Sequence, residues 1–132
     1  MKEFFEVFFK SFWIVLFLAA LWLIHFFNTY FDLNLNELGI VPRSLKGFMG
    51  VIFAPLIHSK NNVNHLLNNS APFLILTWTL FYFYKPIAWK IFFYSWICTG
   101  IFVWISARVA FHIGISGILY SLLFFIFFSG VF

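Results

Sequence analysis

The sequence predicts an all-α polytopic membrane protein, and three observations carry that prediction. Hydrophobic residues fill 64% of the 132 positions and charged residues only 9%, far beyond the apolar share of a soluble domain. Four apolar stretches each reach the roughly 20 residues that a helix needs to cross about 30 Å of hydrocarbon. The Lys and Arg residues stand singly at the ends of those stretches and in one loop, as flanking residues of membrane helices do. No soluble module is attached, so residues 1–132 read as a single transmembrane domain.

The first span is expected over Ser11–Phe31. It is too long for the apolar core of a signal peptide and no small-residue cleavage site follows it, so it reads as a true span. Lys10 and Trp13 near its start have the character of an interfacial belt. Residues 32–64 then form the one long connection. Connections beyond about 15 residues are uncommon in compact domains and are usually functional, so this loop is expected to be structured. Its "GFMGVIFAPLI" stretch is apolar but too short to cross, which predicts a segment lying in the interface or packed on the bundle. The second and third spans are expected over His65–Tyr84 and Ile87–Ala107, with Lys85, Trp89 and Lys90 marking the interface at the turn between them. Cys98 stands alone inside the third span and reads as inert, buried packing. The fourth span is expected over Phe111–Phe132.

The net charge of +4 does not point to nucleic acid, because the basic residues form no patch. Nor does it orient the chain: Lys2, Lys10, Lys85 and Lys90 on one side balance Arg43, Lys46, Lys60 and Arg108 on the other. No metal-binding His-Glu-x-x-His pattern and no glycine-rich nucleotide loop is present, so neither a metal nor an organic cofactor is implied. The lipid bilayer is the expected surrounding, in a multi-pass arrangement.

With four spans, the second and the fourth enter the membrane from one face, and their first turns hold the unusual polar residues. In "NHLLNNSAP", His65 and Asn69 are four apart and project from one side of a helix. In "HIGISGILY", Ser116 stands about five residues into the span, which puts it about 8 Å along the axis and level with the His65–Asn69 turn. Gly114, Gly117 and Ser121 form a small-residue stripe on which another helix can pack closely, and Tyr120 lies four residues beyond Ser116. Each turn alone has a plain reading, a wetted helix start for the first and helix packing for the second. Together they supply a serine hydroxyl, two side-chain donors and the N–H groups of a helix N-terminus, the parts needed to stabilise the oxyanion formed when a serine attacks a carbonyl.

These motifs resemble the rhomboid family of intramembrane serine proteases. The likeness rests on "LGIVPR" in the long loop, "HLLNN" opening the second span and "HIGISGILY" opening the fourth, in the family's order. It implies a rhomboid-like helical bundle, with four transmembrane helices present of an expected six. By resemblance Ser116 is the nucleophile, His65 and Asn69 are oxyanion donors, Gly114 and Gly117 flank the serine, and Tyr120 packs against the catalytic histidine. It further implies a plasma-membrane protein with a cytoplasmic N-terminus that cleaves transmembrane protein substrates.

The chain departs from the pattern in three places. His58 stands seven residues before His65 where the family often has a histidine five before, Pro42-Arg43 replaces a frequent Trp-Arg pair, and Ile115 replaces a common Ala. The family's dyad histidine belongs to the sixth span, which this chain does not reach; His25, His58 and His112 are poor substitutes as the base. Two readings follow: a serine endopeptidase whose base lies beyond residue 132, or a catalytically inactive relative that binds transmembrane helices. An unrelated transporter fragment would need ionisable groups in mid-membrane, and His25 is the one candidate.

Overall fold

Between Lys2 and Tyr30 there is neither glycine nor proline, and in a computed structural model of the chain this stretch is one 29-residue helix, α1. The structure describes residues 2–131, with side chains from 11 to 130. The side chains of Lys2 and Lys10, counted above among the flanking charges, lie outside the described residues, as does Phe132. α1 stops where Asp32 and Asn34 turn left-handed, at φ 53° and 56°. The Asn28 side chain accepts the Leu35 N–H at 3.0 Å, giving the turn a local partner.

The connection between α1 and the next long helix is folded. It carries short helical turns, α2 (Leu45–Phe48) and α3 (Gly50–Phe53), followed by a 3-10 turn at Ala54–Leu56. Its backbone crosses itself so closely that a Cβ on Gly50 would lie 2.4 Å from the Gly39 carbonyl carbon. The apolar "GFMGVIFAPLI" segment packs on the bundle: the Trp96 indole donates to the Val51 carbonyl at 3.1 Å, while Phe48, Met49 and Ile52 remain exposed.

Three long helices complete the chain: α4 (Val63–Phe83), α5 (Ala88–Ser106) and α6 (Ser116–Val131). α4 lies centrally, packed by α1 and by α6, and α5 packs on α6 and on α3. The core they share includes Leu21, Leu66, Phe73, Leu80, Ile115 and Leu122, all at most 2% exposed. Among the described residues there is no β-strand, and one isolated antiparallel bridge joins Ile40 to His112.

α4 and α5 lie within two residues of the expected second and third spans, α1 ends within a residue of the first but begins well before Ser11, and the last differs. Phe111–Ile113 is extended and bonded to the loop, so α6 begins at Ser116, and the serine is the first residue of its helix instead of the fifth or sixth. The four expected spans divide by length and polarity. Ser11–Tyr30 within α1 and Ala88–Ser106 are long and apolar enough to cross a membrane. α4 has the length but begins with Asn64, His65, Asn68, Asn69 and Ser70, and α6 is apolar but only 16 residues long. Cys98 is exposed on α5, not buried, because the faces of α5 that pack on α3 and α6 are those of Gly100 and Ser95.

Candidate active site

The start of α4 and the start of α6 meet around Gly114. Its φ is +102°, and a Cβ built there would lie 2.8 and 2.9 Å from Cε1 and Nε2 of His65 and 3.6 Å from Nε2 of His58. Only glycine combines that left-handed backbone with an imidazole lying against its α-carbon. The peptide is fixed from the other side, where the Gly114 N–H donates to the Ala54 carbonyl at 2.9 Å. Gly117 is different. A Cβ there would stand 3.7 Å from Thr99, an ordinary contact, so the expected close-packing stripe through Gly114, Gly117 and Ser121 does not form. Gly114 lies before the helix, and Ser121 instead donates to the Ser95 hydroxyl at 3.0 Å.

His58, the histidine out of family register, sits at the centre. It is 1% exposed, and its ring lies 5.1 Å from that of His65. Its Nε2 stands 3.4 Å from the Ile115 N–H and 3.3 Å from Nδ2 of Asn69. A backbone N–H can only donate, so Nε2 must accept, the ring must be neutral, and its proton must reside on Nδ1. The amide of Asn69 is thereby oriented with one N–H on His58 and the other free. Burial, reinforced by the neighbouring His65 and His25, pushes the His58 pKa down from 6.5 to about 4, in keeping with a neutral ring whose Nε2 accepts.

Ser116 follows directly. As the first residue of α6 it leaves its own N–H and those of Gly117 and Ile118 without intrahelical acceptors, while the preceding N–H, that of Ile115, is taken by His58. Ser116 and the buried Asn69 line one hollow of about 310 Å³, together with Asn68, Pro72, Leu119 and Tyr120. Pro72 cannot donate to the carbonyl one turn back, so it leaves the Asn68 carbonyl free beside that hollow. On its other side Ser116 borders a second hollow of about 210 Å³, formed with Ala54, Thr99, Gly100 and His112. Tyr120 is 65% exposed and borders both. Among the described residues no imidazole is hydrogen-bonded to the Ser116 hydroxyl. His112 sits in the extended segment with Nε2 2.9 Å from the Arg108 carbonyl, and His25 is buried within α1.

Of the residues singled out in the sequence, Ser116 and Asn69 line one hollow and His65 lies against Gly114, while sequence reasoning leaves His58 unassigned. It also leaves Arg43 without a partner. The Arg43 guanidinium donates to the carbonyls of Ile105 and Ala107, both at 3.0 Å, and the Trp104 indole returns a bond to the Ser44 carbonyl at 2.9 Å. Arg43 and Trp104 therefore tie the loop to the end of α5, each from its own element.

No protein-family model matches the chain, and no solved structure matches it. The chain is similar to two curated proteins described as uncharacterised, one from Mycobacterium tuberculosis (strain ATCC 25618 / H37Rv) and one from Mycobacterium bovis, each 32% identical over 132 aligned residues. The match takes in 90% of this chain and 51% of each relative, so the chain spans about half the length of the curated relatives it matches.

Proposed function

We propose that the chain is part of a rhomboid-type intramembrane serine endopeptidase, multi-pass with four spans in this portion. The observation that carries the reading is that Ser116 heads α6 on the same hollow as Asn69, with the His65 imidazole against the adjoining Gly114. The Ser116 oxygen bonds to a peptide carbonyl carbon, and the oxyanion takes hydrogen bonds from Asn69, His65 and the free N–H groups of the first α6 turn. The dyad base takes the Ser116 proton and gives it to the amine as the C–N bond breaks, and then takes a proton from the water that hydrolyses the acyl-serine. Substrate helices must unwind to present a carbonyl, because a helical backbone keeps its carbonyls bonded. The dyad base of this reading comes from outside the described residues, and Tyr120 on the open hollow is where that imidazole would stack.

The inactive relative that holds transmembrane helices without cutting them is the second reading, favoured by the lack of an imidazole on the Ser116 hydroxyl. A fluorophosphonate probe on the complete protein in detergent separates the two. Labelling of wild type that Ser116→Ala abolishes supports the protease. An unlabelled wild type, or equal labelling of both, removes Ser116 as nucleophile.

A further inference from the structure

An apolar groove of about 260 Å³ opens between the middle of α1, the second half of α4 and the start of α5. Trp13, Phe17 and Ala20 form one wall, and Phe73, Phe81 and Trp89 the facing ones. The one hydroxyl on its lining, that of Thr77, is turned back onto the Phe73 carbonyl of its own helix. Apart from the indole N–H groups of Trp13 and Trp89, the groove offers nothing polar along its length. On α4 the groove takes Phe73, Thr77 and Phe81, whereas the serine hollow takes Asn68, Asn69, Pro72 and Leu76, so the two lie on different faces of that helix and overlap along its length.

Its dimensions select among occupants. Phe73 to Phe81 is eight residues of α4, about 12 Å of wall. One turn of a partner helix about 10 Å across fills roughly 400 Å³, more than the groove holds. At roughly 30 Å³ per methylene, close to the share of a water molecule in the liquid, the space takes about nine carbons in a single file. At the end closed by Trp89, whose ring lies 4.7 Å from that of Phe81, the chain turns into α5 past two exposed cations, Lys85 and Lys90. Neither carries an ion pair among the described residues; Lys46 and Lys60 have the pairs.

We propose that this groove binds one acyl chain of an anionic phospholipid, with its headgroup held by Lys85 and Lys90. The proposal rests on the membrane reading and is independent of the protease reading. The test reconstitutes the full chain in vesicles of equal parts phosphatidylcholine and phosphatidylglycerol, doped with phosphatidylglycerol carrying a diazirine in its tail. After photolysis, lipid adducts are expected on peptides containing Trp13–Ala20 and Phe73–Phe81. Ala20→Trp, which fills the groove, should reduce them about tenfold, whereas Leu23→Trp, on a surface 56% exposed, should leave them unchanged. Lys85→Gln with Lys90→Gln should bring labelling down to that from a diazirine phosphatidylcholine. Adducts spread evenly over all exposed helix faces, adducts indifferent to Ala20→Trp, or equal labelling by both headgroups in wild type would overturn the site. A wild-type chain stripped from vesicles by alkaline carbonate would overturn the membrane reading along with it, whereas an inserted chain without groove adducts overturns the lipid site alone.

Discussion

Gly114→Ala is the most informative single substitution, because two separate costs are visible at that position. The first is conformational: a φ of +102° in a residue with a Cβ costs about 1–2 kcal/mol. The second is steric. Ordinary carbon contacts fall at about 3.5–4.0 Å, and the new methyl would lie 2.8 Å from His65 Cε1, so the imidazole must retreat by roughly 0.7–1.2 Å. A displacement of about 1 Å at a catalytic group costs on the order of 10²-fold in rate. Fluorophosphonate labelling by Gly114→Ala is accordingly expected to slow about 100-fold, and stability in detergent to fall by about 1–2 kcal/mol. Gly117→Ala is the matched control. Its methyl would meet Thr99 at 3.7 Å, and labelling should stay within about twofold of wild type. If the imidazole transmits the effect, adding Gly114→Ala to a His65→Ala background should cost much less than it costs in wild type. Wild-type labelling by Gly114→Ala, or equal effects of the two glycine substitutions, would refute the argument.

Other outcomes follow from the same geometry. His65→Ala and Asn69→Ala should each lower turnover by about 10² while leaving substrate binding nearly unchanged, measured as kcat against KM. Because the His58 pKa is lowered in the fold, its stabilising contribution is complete above pH 6.5, declines as pH falls from 6.5 to about 4, and is gone below that. The full span is worth roughly 3 kcal/mol, and His58→Gln, whose side-chain oxygen can still accept from Ile115 and Asn69, should flatten thermal stability across that window relative to wild type. Arg43→Ala removes two bonds from the carbonyls ending α5 and should cost about 1–2 kcal/mol by thermal unfolding. Cys98, exposed on a helix apolar enough to cross a membrane, should react in vesicles with a lipid-soluble maleimide and not with a charged one; equal reaction would place α5 in water.

The helical framework is legible in the sequence because composition and length dominate it: α1, α4 and α5 begin and end close to where apolar runs meet Asn, Pro or charged residues. The pairing of His65 with Asn69 follows from the period of the helix. The start of α6 does not, since what keeps Phe111–Ile115 out of the helix is bonds to Ile40, Ala54 and His58, all distant in the sequence. His58 is illegible for a related reason. It sits between two helical segments, so no periodicity aims it, and its partners Asn69 and Ile115 are 11 and 57 residues away. Arg43 reaches 62 and 64 residues along the chain to find its carbonyls.

The bonds from Ile40 and Ala54 to the peptides at 112 and 114, together with Arg43 at the end of α5, knit the loop, α5 and the approach to α6 into one collar. Helices in bilayers of unequal thickness accommodate the difference by tilting. Collared ends share that tilt as a unit, so a thinner or thicker membrane should be felt mainly at the far ends of the helices, where Lys85 and Lys90 lie. On the membrane reading, the serine would then keep its neighbours while the lipid around it changes.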